Sequence, residues 1–161
     1  MKWLIARPEE RKGCLAVERH GGSYSFTSAL PFFSPTRCVQ VGNTEFADSD
    51  MECLRPFNGM FAAELGGTAI TERGLSCLLD CDALRYLFLR NTNLGDGIHR
   101  VLARMPNLEM LNLSYSGVSR KELEKVRETL PEAFISHEAG DFFREFTGDQ
   151  ATYEYLNAED E

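Results

Sequence analysis

No stretch of this chain approaches the roughly 20 consecutive apolar residues a membrane-spanning helix needs, so no membrane association is expected. The apolar start, Trp3-Leu4-Ile5-Ala6, runs at once into Arg7, Pro8, Glu9 and Glu10. It is too short for the core of a secretory signal. There is one tryptophan, and the three histidines, His20, His99 and His137, stand apart in sequence. Phosphate-cradling Gly-Lys-Ser/Thr loops, dinucleotide-type glycine fingerprints and nucleophile elbows are all missing. His137-Glu138-x-x-Asp141 lacks the second histidine four residues on that a zinc helix would supply. Scattered carboxylates such as Glu64, Asp96 and Glu109 define no acid–base pair by spacing. Nothing positive points to an enzyme, a metal or a cofactor.

The five cysteines are odd in number. Without a secretory signal, this points to reduced thiols and a cytoplasmic protein. Cys14 and Cys38, like Cys53 and Cys77, lie 24 residues apart, so a disulfide between neighbouring strands is geometrically conceivable. Small thiols filling a core are the plainer reading. Cys77-x-x-x-Cys81 has no partner pair nearby for zinc.

Basic residues are also short: 17 Lys and Arg face 25 Asp and Glu, a net charge of −8. Most of the imbalance sits after His137, where Arg144 alone offsets Glu138, Asp141, Glu145, Asp149, Glu154, Glu159, Asp160 and Glu161. Such a tail repels a phosphate backbone, so no nucleic-acid partner is expected. A solvated tail is its plain reading.

What the chain does have is a period. Thr44, Thr68, Thr92 and Ser116 follow one another at steps of 24 residues. Val41, Leu65, Leu89 and Leu113 keep the same step, as do Leu54, Leu78, Leu102 and Val126. A fixed period of this size marks stacked supersecondary units. Within a unit, Leu87/Leu89 and Leu111/Leu113 alternate with period two, which predicts a short strand with one face in and one out. The hydroxyl residue that follows can bond the unpaired backbone of the bend. Leu75/Leu78 and Leu123/Val126 then fit one helix face. Ser119 with Glu122 has capping-box spacing, and Pro106 and Pro131 stop the helical part of their units.

Leu84-x-x-Leu87-x-Leu89-x-x-Thr92-x-Leu94 and Leu108-x-x-Leu111-x-Leu113-x-x-Ser116-x-Val118 resemble the leucine-rich repeat family. Leu65-Gly-Gly-Thr68-Ala-Ile70-Thr71-Glu-Arg-Gly74-Leu75 is similar to the bacterial and ribonuclease-inhibitor-like subclass, with Glu72 where that pattern has Asp. The resemblance implies an α/β solenoid: a parallel β-sheet on the concave side, helices on the convex side, and a cap at both ends. Four units are expected over residues 36–131. An N-terminal cap and a divergent first unit would occupy 1–35, and a cap with the acidic tail 132–161. Trp3-Leu4-Ile5 and Cys14-Leu15-Ala16-Val17 could pair as a hairpin, Phe134-Ile135-Ser136 should form a last strand, and Phe142, Phe143 and Phe146 could cover the far end.

The family implies partner binding on the concave strand face. Outward columns there read Cys38, Ala62, Tyr86, Met110 and Gln40, Glu64, Phe88, Asn112. Tyr86, Phe88 and Met110, bordered by Arg85, Arg90 and Tyr115 and joined by Glu64 and Asn112, have the composition of a protein-binding hot spot. Gly66-Gly67 would leave a notch beside them. The expected function is recognition of another protein through this face. Coverage by the chain's own tail and incidental exposure are the competing readings of the patch. A structural or self-association role is the rival reading of the protein, and an enzyme a distant third.

Overall fold

The computed structural model describes residues 8–27 and 36–137. Helix α1 (Pro8–Arg19) leads into β1 (Ser23–Thr27) and β2 (Thr36–Gln40). A 3₁₀ turn at Met51–Leu54 precedes β3 (Met60–Glu64), and α2 (Glu72–Leu75) continues as a 3₁₀ turn over Ser76–Leu78. Then come β4 (Tyr86–Phe88), α3 (Ile98–Leu102), β5 (Met110–Asn112), α4 (Arg120–Thr129) and β6 (Phe134–Ser136). The strands form one sheet in the order β1 to β6, antiparallel at β1–β2 and parallel thereafter. This is an α/β repeat fold.

The register carries the sequence period into space. Cys38, Ala62, Tyr86, Met110 and Phe134 pair in one row across the parallel strands, and Gln40, Glu64, Phe88, Asn112 and Ser136 in another. Between these rows the inward residues Val39, Ala63, Leu87 and Leu111 are buried. Val41, Leu65, Leu89 and Leu113 complete the wall, and the helical residues Leu75, Leu78, Ile98, Leu102, Leu123 and Val126 pack against it in one core. A strand or short helix of this size cannot bury its apolar side alone; stacking supplies the missing surface.

The hydroxyl column closes each bend within its own unit. Thr44, Thr68, Thr92 and Ser116 donate to the carbonyls of Val41, Leu65, Leu89 and Leu113, each at 2.6 Å. The residues just before them, Asn43, Gly67, Asn91 and Tyr115, all have left-handed backbones, with φ of 58°, 68°, 51° and 57°. Asn and Gly tolerate that conformation. Tyrosine does not favour it, and Tyr115 is 71% exposed.

Carboxylates join successive units. Asp48 accepts from the Thr71 backbone N–H at 2.7 Å and the Thr71 hydroxyl at 2.6 Å, holding the residue that caps α2. Gly74 has no alternative here, because a Cβ would lie 2.3 Å from Asp48 Oδ1. Asp96 repeats the link at Ser119, accepting its N–H at 3.3 Å. The Ser119 hydroxyl in turn accepts from Glu122 N at 3.2 Å, the expected N-cap. The reciprocal half of that capping box is absent, because the Glu122 side chain is used elsewhere. Helix α3 starts at Gly97, which offers no side-chain cap, and Glu122 reaches back from the next unit to accept from Gly97 N and His99 N.

The amino-terminal expectation was wrong in kind. Cys14 to Val17 form part of α1, not a strand, because Cys14 and Val17 share a helical face in the core while Leu15 is 43% exposed. The inward strand residue beside β2 is Tyr24, paired with Val39, and that pair runs antiparallel instead of extending the repeat. Trp3 to Ile5, the segment 28–35 and the aromatics after His137 lie outside the described residues. The last strand is where the pattern put it, at Phe134–Ser136.

Candidate functional site

Three strands, β3, β4 and β5, place the candidate residues on or beside the sheet face turned away from the core. Along β3 an irregularity opposite Arg37/Cys38 interrupts the alternation, so that Met60, Ala63 and Leu65 lie inward while Phe61, Ala62 and Glu64 lie outward. One unit on, Arg85, Tyr86 and Phe88 take the same positions, and Glu109, Met110 and Asn112 follow. The face is therefore assembled as expected. Phe61 and Tyr86 meet edge-on at 4.9 Å between ring centroids, a favourable aromatic geometry. Arg85 is held by Glu109 at 3.4 Å and by the Asp82 and Leu84 carbonyls.

The accessibility of the face differs from expectation. Phe88 is 4% exposed, Met110 3% and Asn112 7%, and Ala62 is 2% exposed. None of the four belongs to the hydrophobic core cluster. Tyr86, Glu64 and Arg85 are half-buried, whereas Arg90 and Tyr115 are exposed. The open hot spot read from the pattern is thus a shielded apolar strip with an exposed rim.

The polar members serve the backbone. Glu64 Oε1 accepts from Gly66 N at 2.9 Å, and Asn112 Oδ1 accepts from Ser114 N at 2.9 Å, each satisfying an N–H just past its strand. Burial raises the Glu64 carboxyl pKa, against the lowering effects of Gly66 N–H and the Arg90 charge. Nor is there a notch at Gly66. The space its Cβ would take is filled by Arg90 Cγ and Glu64 Oε1, both 2.7 Å away. Residue 66 must lack a side chain so that Glu64 and Arg90 can close over the strand end.

Away from this face, one cluster could suggest chemistry. Glu122, with a side chain 1% exposed, lies 2.5 Å from His99 Nδ1 and 3.1 Å from Lys125 Nζ. Desolvation raises its pKa, but the donors His99, Gly97 and Lys125 outweigh it and bring the value to about 2. Every described oxygen contact of Glu122 closes a helix start or pairs a charge, so its role is structural. His99 is half-buried in the helical layer. The sequence carried little sign of Glu122's reach, beyond Gly95 standing one period from the capping hydroxyls of Thr71 and Ser119.

All five cysteines are free thiols. Burial is the first cause raising the pKa of each, to about 11 for Cys53 and Cys81, so they are poor nucleophiles. Among the described residues no cluster of three or more His, Cys, Asp or Glu could hold a metal ion, and no helix is long and apolar enough to cross a membrane.

No family model matches the chain, and neither does any curated protein. Among solved structures it is similar to a leucine-rich repeat protein of Leptospira interrogans, at 21% identity and a TM-score of 0.37, over 53% of this chain and 27% of that one. It is also similar to an internalin of Listeria monocytogenes, at 19% identity and a TM-score of 0.37, over 53% of this chain and 30% of that one. The chain thus spans less than a third of either protein. Strand register and the shared core, rather than this likeness, define the repeat fold.

Proposed function

We propose that this chain is a leucine-rich-repeat solenoid of 24-residue units, of the bacterial and ribonuclease-inhibitor-like form, capped at both ends, that binds another protein through its concave strand face. The proposed layout keeps four units over 36–131 and a C-terminal cap and tail at 132–161, with 1–35 as an N-terminal cap in place of the cap and divergent first unit expected there, since β1 runs antiparallel to β2. The observation that carries the reading is the apolar strip on the side of the sheet opposite the core: Phe61, Ala62, Tyr86, Phe88 and Met110 in consecutive register. A sheet face facing only water is normally polar, and an apolar one needs an occupant. Hydrogen-bonded neighbours hold these side chains in fixed register, so little conformational entropy is lost when a partner docks. The protein is proposed to act in the cytoplasm, as a binding module and not an enzyme.

The test is affinity capture from native extract with the wild-type chain and a Tyr86→Ala/Phe88→Ala variant side by side. A partner retained by the wild type and lost by a variant of unchanged circular dichroism is the expected result; equal retention by both would overturn the concave site. A structural or assembly role is favoured by one observation. Among the described residues β6 has no strand on its outer side, and Ile135 is only partly buried there. Sedimentation equilibrium showing a stable self-associated species would establish that reading instead.

A further inference from the structure

Cys38, Ala62, Phe88 and Met110 are each 9% exposed or less, yet all four lie outside the core cluster. The described helical segments cannot be their cover, since α1, α2, α3 and α4 send Val17, Leu75, Leu102 and Val126 into the core on the other side of the sheet. Asn112, Ser114 and Ser136 are buried on the same side at 7%, 6% and 0%. The shielding thus extends in patches from β2 to β6, with Tyr86 and Phe134 half-buried among more deeply covered neighbours. Glu64, desolvated on this face, fits the same picture.

Reach limits one of the possible occupants, and composition favours another. From β2 to β5 is three strand spacings, about 14 Å, and to β6 about 19 Å. The segment 28–35 must leave β1 and return to β2. Out and back, its eight residues reach about 13 Å at full extension, short of Met110 and Ser136. The segment 138–161 follows β6 by one residue and could span about 80 Å, enough to cross every strand of this face. It carries Phe142, Phe143, Phe146, Tyr153 and Tyr155 among acidic residues. Aromatic rings suit the Phe61–Tyr86–Phe88–Met110 strip, and Arg90 stands exposed at its rim to meet a carboxylate.

We propose that residues 138–161 bind in cis across the outer sheet face, so that the surface is built for an aromatic, acidic peptide and its resident occupant is the chain's own carboxyl-terminal segment. This rests on the partner-binding reading and sharpens it: an external partner must bring the same chemistry and displace the tail. A tethered segment acts at a millimolar effective concentration, so a tail that binds at about 100 μM leaves the face roughly 90% filled.

The experiment uses the full chain labelled with 13C in its methionine methyls. The Met110 methyl is expected to show intramolecular contacts to Phe or Tyr ring protons, and these should vanish in a Phe142→Ser/Phe143→Ser/Phe146→Ser variant. The core methyls of Met51 and Met60 report that the fold is intact. A synthetic peptide of residues 138–161 should bind that variant about ten-fold more tightly than it binds the wild type. A Met110 signal indifferent to the tail substitutions overturns the proposal. So does one that moves instead with Phe32→Ser/Phe33→Ser, which would assign the cover to 28–35. Contacts seen only between differently labelled molecules would assign it to a second copy. Partner capture with the tail variant keeps the two readings apart. Stronger capture supports both. Methyl shifts as expected without any captured protein would remove the external partner and leave the tail contact standing.

Discussion

Replacing Glu122 with Gln tests how successive units are fastened together. The native carboxylate is almost fully buried and accepts from Gly97 N at 2.6 Å, His99 N at 3.1 Å and Lys125 Nζ at 3.1 Å, with His99 Nδ1 beside it. Its folded pKa of about 2, against an ordinary 4.5, corresponds to about 3 kcal/mol of stability. The sign follows from the depressed value. The contribution is fully present above the unfolded pKa of about 4.5 and is lost as pH falls toward 2. Glutamine keeps an acceptor for the two backbone N–H groups but loses the charge that Lys125 meets. Urea denaturation of wild type and Glu122→Gln at a series of pH values should therefore show a gap of about 3 kcal/mol at pH 6 that closes as pH falls from 4.5 to 2. Acid titration of other carboxylates affects both proteins alike and cancels in the difference. A gap that stays constant across the series, or is absent at pH 6, would refute the claim that this charge fastens α4 to the start of α3.

Glu64→Gln should act in the opposite direction. A raised folded pKa means that the charged form costs stability at neutral pH, so the variant should melt at a higher temperature at pH 7 and match the wild type below about pH 4.5; a lower melting temperature at pH 7 would show that the charge is repaid by Arg90. Tyr115→Asn should stabilise the fold by about 1 kcal/mol, because Asn43 and Asn91 already hold the same left-handed backbone in equivalent positions. Tyr115 gives up little burial in exchange, being 71% exposed. Thermal denaturation checks this, and a destabilised variant would mean the ring makes contacts worth more than the strain.

The repeat was legible because stacking makes each column answer to one local requirement. Leu89 and Thr92 each meet the same surroundings as Leu65 and Thr68, so identity recurs and the period shows. The caps between units were harder to see, since Asp48 serves Thr71 and Glu122 serves Gly97, partners 23 and 25 residues away. No local pattern joins them. The left-handed column had a readable sign in Asn43, Gly67 and Asn91, and Tyr115 is the departure from it. Alternation also gave the outward direction of Phe88 and Met110 correctly, but direction is a property of the strand and exposure a property of everything that lies against it. The same pattern LFL or MLN is written whether a sheet face meets water, a partner or the chain's own carboxyl-terminal segment. The one member of the candidate site both strained and open is Tyr115, at the rim of the shielded strip. Burial of the ring does nothing to offset its unfavourable backbone. On the proposed partner-binding reading, Tyr115 and Arg90 are the residues an incoming partner would meet first, with Phe88 and Met110 reached only after the strip is uncovered.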